Sequence, residues 1–517
     1  MESTLLWIVF ATFAVATLAL ATYGIHLYVL VYLFRRRVVG KRREHREIIE
    51  AYRRDRTDDR WPSVTTQIPI YNEKDVAGRI IRTVAAMDYP ADRHEIQVLD
   101  DSSDDTQQLI DSVVERLQAR GVDVKVIRRD HREGYKAGAL AHGLETAKGT
   151  YVAVFDADFV PPGDFLRKAI PLLEASPDLA CLQGRWSHTN RNESWLTEVQ
   201  AMGIDGHFAI EQGARAWNGL LMNFNGTAGV WRAAAIHDPK VGGWSGDTLT
   251  EDLDLSYRAQ LAGWRLDYCL DLACPAELPG TVTALKSQQR RWATGSIQVA
   301  WKLLPRIWRA PLSMGQKIEA TLHLTHYSVT VWMLLLAIVA RPMLLVFTDG
   351  RLFNQWFWAA WGVILFSAFA PSLVYSYARY TLEGRWTGLR MIPSMLILGC
   401  GMCLNNAIAV VRGLYLRGGE FVRTPKSGSA GCDAKTSSYR VSASSLWLYE
   451  IALGIYSLFS FIVYFTEYHR AFSFFLLMYA IGFCLIGWLS RPVRPRALRE
   501  ATPQSAALLA TEVTSAK

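Results

Sequence analysis

The chain has 517 residues, 50% of them hydrophobic and 20% charged, with a formal charge of +8. That balance is too apolar for an ordinary soluble enzyme and too charged for a chain confined to the bilayer, so it predicts two or three domains of mixed character. The Lys and Arg residues cluster beside apolar runs, where the positive-inside bias and anionic headgroups place them, which argues against nucleic acid as a partner.

From Leu5 to Phe34 the chain is nearly uncharged. At about 20 residues per crossing this predicts a transmembrane anchor over residues 1–34. Arg35, Arg36, Arg37, Lys41, Arg42 and Arg43 follow, predicting a basic cytoplasmic linker over 35–60. From 61 to 295 short apolar strands alternate with helices, the pattern of a doubly wound parallel sheet. Strands are predicted at 63–70, 95–100, 122–127 and 151–156. Three of them end in Tyr71-Asn72-Glu73, Asp100-Asp101 and Asp156-Ala157-Asp158, and such sheets bind ligands beyond the carboxyl ends of their strands.

Residues 296–320 mix Trp301, Trp308, Lys302, Arg306 and Arg309, as an interfacial helix does. Two crossings are predicted within 321–378 and two more within 446–490, making five with the anchor, and 491–517 is a cytoplasmic tail. The apolar run Met391 to Val411 has Gly399, Gly401, Asn405 and Asn406 at its centre. Read as interfacial or re-entrant within a 379–445 segment, it leaves the cations around Arg412 and Arg491 on one membrane face. Seven cysteines form no disulfide framework, and Cys400-x-x-Cys403 reads as core packing. Trp332, Trp356, Trp358, Trp361 and Tyr375 fit either an interfacial aromatic belt or a wall that stacks sugars.

Each polar motif has two readings. Asp156-Ala157-Asp158 suits a hard divalent cation beside a phosphate, or a solvated turn. Asp100 to Asp105 reads as a helix-capping turn or as a contact to a nucleoside. His131 to Leu140 places cations and small residues at a helix start, open to a diphosphate or merely an N-terminus with a glycine cap. Thr250-Glu251-Asp252 opens a helix, with Thr250 as cap and the acids favoured by the dipole, or carries chemistry.

Taken in order, Gln67 to Glu73, Asp100-Asp101, Asp156-x-Asp158, Thr250-Glu251-Asp252 and Gln288-x-x-Arg291-Trp292 resemble the membrane-integrated family 2 glycosyltransferases over about residues 60–430. That group includes cellulose synthase, hyaluronan synthase and the plant cellulose-synthase-like mannan and glucan synthases. The plant-like branch is the nearest in Gly134 to Leu140, Gln183-x-Arg185-Trp186, Phe224 to Gly229 and Gln288 to Gly295. The resemblance implies an α/β, GT-A-type doubly wound mixed sheet inserted between transmembrane helices, with interfacial amphipathic helices. It implies Asp252 as general base, with Glu251 orienting the acceptor or capping the helix. Tyr71, Glu73, Asp100, Asp101, Lys136, Asp156 and Arg291 would bind the nucleotide donor. Asp158 with Asp156 would hold Mg2+ or Mn2+, and Gln288 and Trp292 would bind the acceptor. Phe421, Thr424 and Lys426 would belong to a gating loop.

The implied activity is processive, inverting synthesis of a β-linked glucan or mannan from UDP-glucose or GDP-mannose at the cytoplasmic face, with secretion across the membrane. Membrane lipids, the growing polysaccharide and accessory export subunits are the implied partners. The rival readings are a non-processive enzyme that makes a glycolipid, or an inactive membrane scaffold or transporter. A single N-terminal anchor departs from cellulose synthase, and the pattern contains no cyclic-dinucleotide-binding barrel.

Overall fold

The computed structural model describes residues 2–55, 57–347, 355–419, 445–467 and 470–492. Phe421, Thr424 and Lys426 therefore lie outside the described residues. At the centre is one seven-stranded sheet: β1 (Val64–Ile70), β2 (His94–Asp100), β3 (Val124–Ile127), β4 (Tyr151–Val154), β5 (Leu179–His188), β6 (Gly229–Arg232) and β7 (Arg265–Ala276). Their order is β3-β2-β1-β4-β6-β5-β7. β1 pairs in parallel with both β2 and β4, whereas β6 runs antiparallel to β4 and β5, so the sheet is mixed.

The helices that cross between these strands follow from spacing. In Lys74–Ala85 the buried Ile80, Ile81 and Val84, and in Thr106–Gln118 Ile110, Val113, Val114 and Leu117, recur at helical intervals and seal one face of the sheet. Fully burying one such side chain stabilises by about 1.5–3 kcal/mol. Winding leaves β1 toward β2 on one side and resumes at β4 on the other. A crevice opens at that reversal, outside the carboxyl ends of β1, β2 and β4.

The first helix runs unbroken from Glu2 to Asp55, so the basic stretch after residue 34 is helical. Tertiary contacts explain its order: Ile48, Ile49 and Tyr52 pack on the sheet core, and Arg42 reaches Asp271 of β7 at 2.7 Å. Among the described residues four helices are long and apolar enough to cross a membrane, namely Leu6–Asp55, His326–Met343, Thr387–Tyr415 and Leu446–Thr466, and Ser473–Leu489 is a shorter apolar helix. The run at 356–377 is two helices, Gln355–Ala368 and Ala370–Glu383, because Pro371 in the first turn of the second lacks the N–H a continuous helix needs.

Helix Ile392–Tyr415 owes its small and polar centre to its neighbours. A Cβ at Gly401 would meet Gly482 O at 2.4 Å, so glycine permits close helix approach. Asn405 donates to Lys286 O at 3.1 Å and accepts from Arg290 at 2.9 Å. Cys400 and Cys403 are free thiols packed against Tyr479 and Phe483.

Candidate active site

A cleft of ≈ 150 Å³ occupies the crevice, and Tyr71, Glu73, Asp101, Lys136, Asp156, Asp158, Glu251, Asp252, Gln288, Arg291 and Trp292 all line it. Residues separated by as much as 221 positions in the sequence thus share one wall because three strand ends, two helix starts and one face of the helix Val282–Arg309 converge there.

At its donor edge the chain leaves β1 through Asn72, whose φ of 53° is left-handed. The guanidinium of Arg132 lies over the Tyr71 ring, 3.2 Å from its centroid. Asp101 is held by Arg129 through two bonds of 2.5 and 3.0 Å. Asp100 is not on the cleft wall. Its carboxylate is fully buried, accepting from Arg128 at 2.8 Å and from Ser102 N at 3.0 Å. Adjacent residues at a strand end point to opposite faces, so only one of the pair can face the cleft. The capping role in this turn falls to Asp104, which accepts from Thr106 N at 2.9 Å.

Lys136 stands on helix Tyr135–Leu144, entered through Gly134 at φ 67°. Its ammonium donates to Asp156 at 2.6 Å and Gly226 O at 2.9 Å, and lies 3.8 Å from Glu251. Burial opposes its charge, but Asp156 and Glu251 outweigh it and raise the lysine above its ordinary range. Burial also raises the Asp156 carboxyl, with Asp158 adding to the rise and Lys136 working against it. Two close carboxylates that repel one another are hard oxygen donors suited to a divalent cation. Among the described residues no cluster of three His, Cys, Asp or Glu side chains is placed to hold a cation by itself. A ligand phosphate would have to complete the set.

The helix Glu251–Leu261 begins at the cleft. Thr250 occupies the cap position without making the side-chain cap bond. Its methyl packs instead against Gly295, where a Cβ would come within 2.6 Å of it. Asp252 is pushed up to about 7, chiefly by burial and then by Glu251, while Lys136 and Arg291 pull the other way. Gly226, at φ 81°, lets the backbone approach it: a Cβ there would sit 2.8 Å from Asp252 Oδ2. Asp254 belongs to the scaffold, fully buried between Arg258 at 2.7 Å and Lys302 at 2.8 Å.

Gln288, Arg291 and Trp292 come from helix Val282–Arg309, which Thr281 caps by accepting from Ala284 N at 3.3 Å. Their i, i+3, i+4 spacing puts all three on one face. Opposite Trp292, 6.4 Å between ring centroids, is Trp186 of β5. Arg132, Trp186, His188 and Glu277 also line the cleft and were not assigned roles from sequence. For Trp186 and His188 the available signal is the two-residue strand period, which puts both on one face of β5.

A mixed α/β sheet with carboxylates gathered at its switch point defines the GT-A class of architecture. Residues 62–295 match the family described as "Glycosyltransferase like family 2". The chain is 42% identical over 253 residues to glucomannan 4-beta-mannosyltransferase 2 of Arabidopsis thaliana, covering 48% of this chain and 47% of that protein. Glucomannan 4-beta-mannosyltransferase 7 of the same plant is 35% identical over 378 residues, 71% of this chain and 65% of the relative. The chain therefore spans about half to two thirds of the length of these relatives. A solved mannosyltransferase from Pyrobaculum calidifontis, in complex with GDP-Man and Mn2+, superposes with a TM-score of 0.41 at 18% identity, covering 71% of this chain and 99% of that one. Residues 62–295 thus match the family 2 glycosyltransferases, and the chain is similar to plant mannan synthases of the cellulose-synthase-like group.

Proposed function

We propose that the protein transfers mannose from a nucleoside diphosphate donor onto the hydroxyl of a β-linked acceptor chain, with inversion at the anomeric carbon. The observation that carries this reading is Asp252: a carboxylate held up to about 7 in a cleft that also contains Lys136 and Arg291. A base with that proton affinity is suited to take a hydroxyl proton near neutrality. As the acceptor oxygen bonds to the anomeric carbon, Asp252 receives its proton, the bond to the diphosphate oxygen breaks, and Arg291 and Lys136 face the charge that develops on the leaving group. One displacement on an α-linked donor yields a β linkage.

Asp158, with Asp156, would hold Mg2+ or Mn2+; when bound, the ion neutralises diphosphate charge. Tyr71, Glu73 and Asp101 would meet the nucleoside, with Asp100 fixing the turn from behind. Gln288 and Trp292 would bind the acceptor. Mannose is favoured over glucose by the names of the relatives. The same reading makes synthesis processive at the cytoplasmic face and passes the chain outward across the bilayer. The exposed Trp301 and Trp308 on helix Val282–Arg309 support its lying against a membrane surface. Helix Ile392–Tyr415 is taken as interfacial, and the segment holding Phe421, Thr424 and Lys426 as a gating loop.

The test is a donor screen with purified protein, comparing GDP-mannose with UDP-glucose, followed by linkage analysis. Label from GDP-mannose in a water-insoluble β-linked polymer supports the proposal. Label in a lipid extract identifies a glycolipid-forming enzyme, and no transfer from any donor leaves the scaffold reading.

A further inference from the structure

Two buried ring nitrogens near the end of β5 lack hydrogen-bond partners. The His188 side chain is only 2% exposed, yet lines the cleft. Nε2 donates to Asp205 at 3.2 Å, and Asp205, itself 1% exposed, is also bound by Arg191. Nδ1 has no partner. Two residues earlier on the same strand face, the indole N–H of Trp186 is equally buried and equally without a partner. Unpartnered polar atoms in such burial cost about 1–3 kcal/mol each, and two of them on one cleft wall call for a ligand that supplies a donor and an acceptor.

The surroundings say which kind of ligand. Trp186 is stacked on Phe208 at 4.8 Å, meets Phe159 edge-on at 5.2 Å, and lies 6.4 Å from Trp292. No cationic side chain bonds to either ring nitrogen. An aromatic wall with one N–H donor and one ring-nitrogen acceptor suits the apolar faces and alternating hydroxyls of a saccharide.

We propose that Trp186 and His188 form an acceptor subsite, in which His188, oriented by Asp205, accepts a hydrogen bond from a sugar hydroxyl on Nδ1 while Trp186 donates through Nε1. This rests on the glycosyl-transfer reading above and extends its acceptor side beyond Gln288 and Trp292. Asp205 and Arg191 are positioning residues, acting through the imidazole.

The experiment uses the purified full chain with GDP-mannose and added β-mannohexaose. Three variants separate contact from folding. His188→Gln keeps a polar group for Asp205 but withdraws the Nδ1 position; His188→Asn does the reverse; Trp186→Phe keeps the stack on Phe208 and removes the N–H. The subsite predicts a KM for the hexaose raised roughly tenfold in His188→Gln and Trp186→Phe, equivalent to about 1.4 kcal/mol. The dissociation constant for GDP-mannose, read by calorimetry, stays within twofold, and His188→Asn recovers part of the acceptor KM. An unchanged hexaose KM overturns the subsite, as does a parallel loss of donor affinity, which marks a role in folding alone. A wild-type protein that transfers mannose to no saccharide overturns the transfer reading along with it, so the two failures are distinguishable.

Discussion

The side-chain oxygen of Gln298 accepts the backbone N–H of Leu249 at 2.9 Å, while its amide nitrogen donates to Leu416 O at 3.1 Å and Gly418 O at 2.8 Å. One buried amide on helix Val282–Arg309 thereby joins the strip leading into Thr250-Glu251-Asp252 to the end of helix Ile392–Tyr415. Gly418 N adds a bond to Asp247 O at 2.9 Å. Gln298→Leu leaves three backbone groups without this partner, at about 1–3 kcal/mol for each that water does not reach. A lowered melting temperature and a fall in kcat are expected. Gln298→Glu keeps the acceptor for Leu249 but sets a buried carboxylate oxygen against the carbonyls of Leu416 and Gly418, so it should melt no higher than the leucine variant; a glutamate variant as stable as the wild type would show that these two carbonyl contacts are dispensable.

Asp252→Asn removes the proposed base. A positioned base contributes roughly 10² to 10⁴ in rate, so polymer synthesis should drop by at least about a hundredfold while nucleotide binding persists. The same change removes a carboxylate that burial and Glu251 disfavour in its charged form, so the variant should melt at or above the wild-type temperature. Unchanged synthesis in this variant would remove Asp252 from the chemistry.

The pH profile follows from the same group. A base works deprotonated, and Asp252 has its proton affinity raised to about 7. Activity should therefore rise as pH climbs through the neutral range and fall away below it. A cation bound nearby moves that limb to lower pH by favouring the carboxylate. Folding stability runs in the opposite direction: the group binds its proton more tightly folded than unfolded, so its contribution is present below about pH 4 and is lost as pH rises through the folded value. Initial rates between pH 5 and 9 in the Asp252→Glu variant should show a displaced acid limb, whereas a limb unmoved by that change would point to another group.

Chelation should abolish transfer and lower donor affinity, with Mg2+ or Mn2+ restoring both. Asp158→Asn should need more metal for half-maximal rate. Full activity in excess chelator would remove Asp156 and Asp158 from cation binding and leave Asp156 as a partner of Lys136.

Lys286 donates to Glu450 at 2.7 and 2.9 Å and to Ser490 at 3.1 Å, all within the protein interior. The pair ties the helix bearing Gln288, Arg291 and Trp292 to Leu446–Glu467 and to Ser490, just beyond Arg470–Leu489. Removing one partner of a buried pair typically costs about 3–5 kcal/mol, so Lys286→Met alone should destabilise strongly. Lys286→Met with Glu450→Met should recover much of the loss, read from thermal melts in detergent; additive losses would show the charges themselves to be stabilising.

Much of this site could be read from residue order. The strand ends at Asp101 and Asp156, the helix start at Glu251 and the helical face Gln288-Arg291-Trp292 are local patterns, and each lands on the cleft. What stayed hidden depends on rotation or on long-range contact. Whether Asp100 or Asp101 turns inward is a question of strand phase that one residue decides. Thr250 has the chemistry of a cap, but the tight fit of Gly295 against its side chain redirects it. Trp186 and His188 sit at the end of β5 just past a register shift at Gly184 and Arg185, and the cleft position of their unpartnered nitrogens depends on the long-range pairing of β5 with β7. The break at Phe369 needed Pro371 to outweigh a continuous apolar run, and Gln298 could not be singled out without knowing that Leu249 and Leu416 meet.

The first helix, 54 residues from Glu2 to Asp55, is about 80 Å long at 1.5 Å per residue, far more than the roughly 30 Å of a bilayer's hydrocarbon core. Its far end is clamped to β7 through Arg42 with Asp271 and His45 with Asp267. The helix thus acts as a ruler and a crank: it sets both the height of the cleft above the apolar segment and its compass bearing. Leu30 and Phe34, before Gly40, pack in one core with Trp231 and Tyr268, so inserting a single residue near Gly40 would turn Arg42 and His45 by about 100° out of register with Asp271 and Asp267. The alignment of the cleft with the apolar helices is in this sense counted in helical turns.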